Sequence, residues 1–286
     1  RFRYFYRKII NAYLSGVLLE KCLRFLMNTY RRFFFIPIAY MFLPRSDKKL
    51  NIREGFQDHR NNENNLETNP KIISRIIQSY KLAKEAQKQC DAPFKIRGLW
   101  EEWIKVNYED VLEALNSEDI PKLSSIYENL FREQCGIGTG GYDEYIRYKS
   151  IFGSFYIKYV WSSYKKILEE SNFEIKKIKF PSIGNPCGVM CGGKVLPIET
   201  LRHAYRANEI VNLLSGIKPK TIVEIGGGLG GLAYQVIAQL ESDKAKFILF
   251  DIPEVLTLSS FFLLSAMPDK KIRLFGEGPI SSSDSE

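Results

Sequence analysis

From residue 69 onward the apolar residues recur mostly every three or four positions, the rhythm of helices, and short β-branched or aromatic runs interrupt it. Asn69-Pro70 opens a helix, with proline where a missing N–H costs nothing, and Ile72, Ile73, Ile76, Ile77 and Tyr80 mark its buried face. The same spacing predicts helices at Leu99–Val106, Tyr108–Leu115 and Pro121–Arg132, the last opened by Asp119 or Ser117. Trp100 and Trp103 fall on one face and are expected in the core. Longer helices are expected from Tyr145 to Glu170, from Thr200 to Ser215 with Thr200 as cap, and from Glu254 to Met267. Strands are expected at Ile175–Phe180, Thr221–Ile225, Lys246–Phe250 and Ile272–Phe275. Between these elements, Ser46–Asn69 is polar and Asn-rich and reads as a connector. Gly136–Tyr145 is a glycine-rich lid, acceptor loop or plain turn, and it lacks the Lys-Ser/Thr of a phosphate loop. Pro181–Lys194 is a shaped loop.

The stretch that organises the chain is Thr221–Pro253. A β-branched run leads into Gly226–Gly231, a helical pattern follows over Leu232–Leu240, and a second strand ends in Asp251. Strand, glycine turn, helix, strand, acid is the order of half a doubly wound nucleotide-binding sheet. Glycines allow a sharp turn and a close approach of ligand to backbone at the amide-rich start of a helix. Asp251 can accept two hydrogen bonds from a ribose diol.

Two ligand classes fit this unit. Gly226, Gly228 and Gly231 satisfy the G-x-G-x-x-G of dinucleotide binders. Glu224 with Gly226, Gly228 and Gly230 gives E-x-G-x-G-x-G, which suits an S-adenosyl ligand. Glu224 would repel a pyrophosphate but attract a sulfonium and an ammonium group. VEIGGGLGGLA (Val223–Ala233) followed by FDIPEVL (Phe250–Leu256) resembles the sugar O-methyltransferases of bacterial polysaccharide clusters. FDIPEV is also similar to the D-L-P-x-V of small-molecule O-methyltransferases generally, and the resemblance extends back through LRHAYRANEI (Leu201–Ile210) to GNPCG (Gly184–Gly188).

That resemblance implies a class I methyltransferase fold, S-adenosyl-L-methionine as cofactor and a sugar or glycan hydroxyl as acceptor. It implies that Glu224, Gly226, Gly227, Gly228 and Gly230 hold the methionine end, with Asp251 and Ile252 at the ribose. The expected fold class is α/β, a mostly helical N-terminal region followed by a truncated Rossmann-like doubly wound sheet, because strands beyond the third are not in the sequence. A non-catalytic scaffold built on such a fold and a nicotinamide-dependent oxidoreductase are the alternatives. His203, on the helix leading into the first sheet strand, is the candidate proton acceptor; the competing reading is an ordinary buried or surface histidine.

Charge divides the chain. The net charge is +8, yet residues 1–50 hold 11 Lys and Arg against 2 acids while the other 236 hold 30 against 31. Residues 1–44 are therefore set apart as a basic aromatic arm, with a helical region over 45–199 and the cofactor-binding part over 200–286. The uncharged runs of the arm are shorter than a bilayer span, so it is either an interfacial segment on anionic membrane or a packed helix. No nucleic-acid recognition module is readable. The five cysteines are scattered, which suits a reducing compartment and a cytoplasmic protein, membrane-associated if the arm is interfacial. Cys187 and Cys191 read as loop thiols, since His59 and His203 do not complete a zinc set, and no metal is required. The pattern fixes no oligomeric state.

Overall fold

The computed structural model describes residues 34–58, 69–91, 96–139, 150–171, 173–175, 178–217, 220–240 and 245–278, with Met27 and Tyr30. Its helices begin with α1 (Ile36–Met41), α2 (Arg45–Lys48), α3 (Ile52–Gly55), α4 (Pro70–Gln89), α5 (Leu99–Asn107), α6 (Glu109–Ser117) and α7 (Ile120–Glu128). A 3-10 segment (Gln134–Thr139), α8 (Ile151–Glu170) and the strands β1 (Val189–Cys191) and β2 (Lys194–Leu196) follow. Last come α9 (Ile198–Leu213), β3 (Lys220–Ile225), α10 (Gly231–Gln239), β4 (Ala245–Phe250) and α11 (Pro253–Ala266). The protein is mixed α/β.

It divides into two compact units, one of residues 1–50 and 148–162, the other of residues 51–147 and 163–286. In the first, Ile36 is buried, Tyr40 stacks on Phe155 at 4.3 Å and Phe35 meets Tyr159 edge-on at 5.8 Å. Lys158 Nζ donates to the Lys48 carbonyl at 2.6 Å.

The second unit is built around β3 and β4, which run parallel with Lys220 opposite Ala245 and Ile225 opposite Phe250. Parallel neighbours need a crossover, and α10 supplies it. Helix α10 packs on β4 and α9, and α11 packs on α4, which meets α7. The core between them is aromatic: Phe180 lies 5.6 Å from Phe262 and 5.8 Å from Phe131, and Tyr127 lies 5.1 Å from Phe261. Ile73, Ile76, Ile77 and Tyr80 are buried on α4 as the spacing requires, and Asn69 caps that helix through the Lys71 amide at 3.0 Å. Asp119 caps α7 through the Lys122 amide at 2.9 Å.

Several expectations change. The connector Ser46–Asn69 contains most of α2 and all of α3, residues 59–68 lying outside the described residues. The described residues of Ile175–Phe180 form no strand, and the Phe180 ring lies in the aromatic core. Nor is Ile272–Phe275 a strand. Arg75 on α4 donates to the Ile272 carbonyl at 3.0 Å and grips Glu277 through two hydrogen bonds of 2.8 Å, while Glu277 accepts from the Leu274 amide, so this backbone is spent on a turn. Pro181–Lys194 is more than a loop, since β1 and β2 pair antiparallel across Gly192-Gly193, both at positive φ. Trp100 is 56% exposed, not core. Thr200 does not cap α9, which starts two residues earlier behind Pro197; Thr200 is buried inside it and donates its amide to the Pro197 carbonyl at 2.9 Å. Of Gly136–Tyr145 only the first residues, in the 3-10 segment, are described, and the Tyr145–Glu170 helix is described from Ile151.

Thr221–Ile225 is half-buried on one face and exposed on the other. Val223 is 54% exposed and Ile225 86%, because Ile222 and Glu224 alternate onto the other side of the strand.

Candidate functional site

The site begins where β3 stops. Gly226, Gly228 and Gly230 all have positive φ, between 55° and 85°, so at three alternate positions the backbone itself favours glycine. At Gly226 and Gly228 the space a Cβ would enter is open, whereas at Gly227 a Cβ would strike Leu249 at 2.5 Å. The turn thus presses Gly227 onto β4 and Gly230 onto α11 and leaves Gly226 and Gly228 open. Gly230 ends it as a left-handed N-cap with no side-chain acceptor, leaving the first amides of α10 uncovered by a capping side chain.

Asp251 closes the arrangement from the end of β4. Its Oδ2 accepts from the Gly228 amide at 2.9 Å and its Oδ1 from the Ile252 amide at 2.8 Å. The Gly226 amide donates to the Phe250 carbonyl at 2.8 Å. Each carboxylate oxygen keeps a further acceptor site. Glu224 lies on β3 opposite Leu249, half-buried, and its Oε2 is buried without a partner among the described residues. Burial, and then the neighbouring Asp251 charge, hold its carboxyl above the ordinary range. Two acids therefore share the carboxyl end of the parallel pair, and one has an unsatisfied oxygen. A ligand group that brings positive charge relieves both costs.

His203 comes to the same turn from α9. A Cβ on Gly231 would lie 2.7 Å from its Nδ1, so the imidazole rests against the first residue of α10. Burial, helped by the Arg202 charge, pushes the imidazole pKa down to about 4. Its neighbours on α9 turn elsewhere. Arg202 pairs with Glu199 at 2.6 Å, Arg206 with Glu209 at 2.7 Å, and the Tyr205 hydroxyl donates to Glu209 at 2.8 Å, all between residues of one helix.

Three features were not anticipated. Glu254, 3% exposed, pairs with Lys84 at 2.8 Å through Oε1, while its Oε2 has no partner among the described residues. It lines an open cavity of about 670 Å³ with Lys84, Glu101, Lys105 and Glu109. Arg132, 2% exposed, donates to the Asn185 carbonyl at 2.9 Å, that of Gln57 at 2.6 Å and those of Phe56 and Pro186 at 3.2 Å. Asn185 stands at φ 52° and donates to Asp58 and Asn129. The GNPCG loop is thus pinned by a buried arginine, and the Cys187 thiol beside it donates to the Phe131 carbonyl at 3.9 Å; neither it nor Cys191 on β1 is in a disulfide. The signal for Glu254 was present in D-I-P-E, one helical turn beyond Asp251.

In comparisons with known proteins, no family model, no curated protein and no solved structure matches the chain.

Proposed function

We propose that this chain is an S-adenosyl-L-methionine-dependent O-methyltransferase acting on a sugar hydroxyl in bacterial surface glycan synthesis. The observation that carries the reading is the unpartnered, buried Oε2 of Glu224 beside Asp251 at an open glycine turn. The residues fit the cofactor. Glu224 offers a negative oxygen to its ammonium and sulfonium groups, Gly226 and Gly228 leave room against the backbone, and Asp251 keeps acceptor sites for a ribose diol. Glu224 would repel a pyrophosphate, which counts against a nicotinamide dinucleotide although the glycine spacing and Asp251 admit one.

When bound, the cofactor supplies an electrophilic methyl group. The chain's own task is to align the acceptor oxygen and accept its proton as the new C–O bond forms. His203 is unprotonated at neutral pH and has a lone pair for that proton. The cavity lined by Lys84 and Glu254 is the place we assign to the acceptor.

Thermal unfolding with added ligand tests the reading. S-adenosylhomocysteine at about 100 times its Kd should stabilise the fold by about 2.7 kcal/mol and NAD should not. A shift with NAD alone would sink the methyltransferase reading, and no shift with either would favour a scaffold.

A further inference from the structure

The first unit carries an apolar surface that its own packing does not use. Met27, Tyr30, Phe34, Ile38 and Met41 follow one another at intervals of three or four residues, the spacing of a single helical face. Each is more than half exposed, from 54% at Ile38 to 69% at Met41, and Phe42 beside them is 84% exposed. Tyr30 and Phe34 stack on each other at 6.0 Å. The other side of α1 is already occupied, since Ile36 is buried, Tyr40 stacks on Phe155 and Phe35 meets Tyr159. A helix that is apolar all round normally has both sides covered. Here one side is covered by protein and the opposite side is open.

Charge selects the occupant. Residues 1–50 hold 11 Lys and Arg against 2 acids, and of those two Asp47 is buried. Arg45 and Lys49 are exposed just past Met41 and Phe42, and Lys48 lies beside them with its Nζ on the Met41 carbonyl at 2.6 Å. A second copy of this chain would bring the same excess of positive charge to the same face and be repelled. An anionic lipid surface brings the opposite charge together with an apolar layer deep enough for Phe, Met and Ile side chains. Among the described residues no helix is long and apolar enough to cross a membrane, so the contact is with the surface.

We infer that the face formed by Met27, Tyr30, Phe34, Ile38, Met41 and Phe42 docks flat on an anionic membrane surface, with Arg45, Lys48 and Lys49 at the level of the headgroups. This goes beyond the proposed methyl transfer and does not depend on it. The apolar side chains enter the headgroup–acyl boundary while the cations stay in water, which makes binding reversible and salt-dependent.

Co-sedimentation of the full chain with vesicles tests this. One set is phosphatidylcholine alone and the other includes about one third phosphatidylglycerol. The chain should sediment with the anionic vesicles at low salt and be released as salt rises. The triple variant Phe34→Ser/Met41→Ser/Phe42→Ser should bind at least about tenfold more weakly while melting like the wild type, because these side chains are 59% to 84% exposed and Tyr30, the ring on which Phe34 stacks, is itself exposed on the same face. Arg45→Glu/Lys49→Glu, two exposed positions, should weaken binding at low salt and flatten its salt dependence. Absence of binding to either vesicle overturns the inference, as does unchanged binding by the triple variant. Concentration-dependent self-association in solution that the triple variant abolishes would overturn it in favour of a second copy.

Discussion

The Asp251 carboxylate holds the Gly228 amide at 2.9 Å, tying the end of one parallel strand to the middle of the glycine turn that leaves the other. With its other oxygen on the Ile252 amide, it fixes both the turn and the entry to α11. The acid that sequence reasoning assigns to a ribose is thus already a structural clamp, and a ligand at its remaining lone pairs would meet a preorganised group.

Asp251→Ala should therefore cost stability before any ligand is added. Two charge-assisted hydrogen bonds to backbone amides are lost, so about 2–3 kcal/mol should disappear in urea unfolding. The stabilisation by S-adenosylhomocysteine should disappear with it. Wild-type stability in the variant would show that the clamp contributes nothing.

Glu224 should behave in the opposite way. Its carboxyl is held above the usual range by burial and by Asp251, so ionising it at neutral pH opposes folding. Glu224→Gln keeps the shape and removes the charge. The variant should melt at or above the wild-type temperature and bind S-adenosylhomocysteine at least about tenfold more weakly by calorimetry. A lower melting temperature with unchanged affinity would make Glu224 a purely structural residue.

The β-α-β order, the glycine turn and both acids were legible because they are contiguous, and the backbone chemistry of such a turn leaves glycine little competition. The hairpin across Gly192-Gly193 was equally local and could have been read from V-M-C-G-G-K-V-L. Ile272–Phe275 was misread because strand propensity says nothing about whether a neighbouring edge exists, and here Arg75, 197 residues away, takes the Ile272 carbonyl instead. Trp100 was misread because a pair at i, i+3 shows that two residues share a face but not which way the face points. Arg132 gave no signal. A lone arginine at the end of a helix looks solvated, and its partners are carbonyls 53 to 76 residues distant.

That arginine is where the second unit is most exposed to mutation. Arg132→Met keeps much of the volume but strands the carbonyls of the buried residues Phe56, Asn185 and Pro186, while that of Gln57, an exposed residue, can turn to water. Unsatisfied buried acceptors cost about 1–3 kcal/mol each when they cannot reach water, so the total loss should be at least about 3 kcal/mol in urea unfolding. Arg132→Lys should recover only part of it, because one ammonium cannot reach four carbonyls held for a planar fork. Full stability in Arg132→Met would mean that water replaces the guanidinium.

His203 is both a group desolvated by the fold and the proton acceptor we propose, and pH separates the two. Its folded pKa is about 4, below the ordinary 6.5, so the unfolded imidazole takes up a proton first as pH falls. Its contribution is present above about pH 6.5, is lost as pH falls toward 4 and changes no further below that; the loss is on the order of 3 kcal/mol. Glu209 and Glu277, both held below the usual carboxylate range by hydrogen bonds from their partners, also lose stability in acid. They are common to wild type and His203→Gln, so the difference between the two proteins isolates the histidine. His203→Gln should therefore lose less stability between pH 6.5 and 4 than wild type does. At pH 7 it should keep the S-adenosylhomocysteine shift but transfer methyl groups at least about 100-fold more slowly. The wild-type rate should show no titration near pH 6.5, since the imidazole stays neutral until far more acid conditions. Near-wild-type turnover in His203→Gln would leave the histidine as a packing residue against Gly231 and assign the proton to another group.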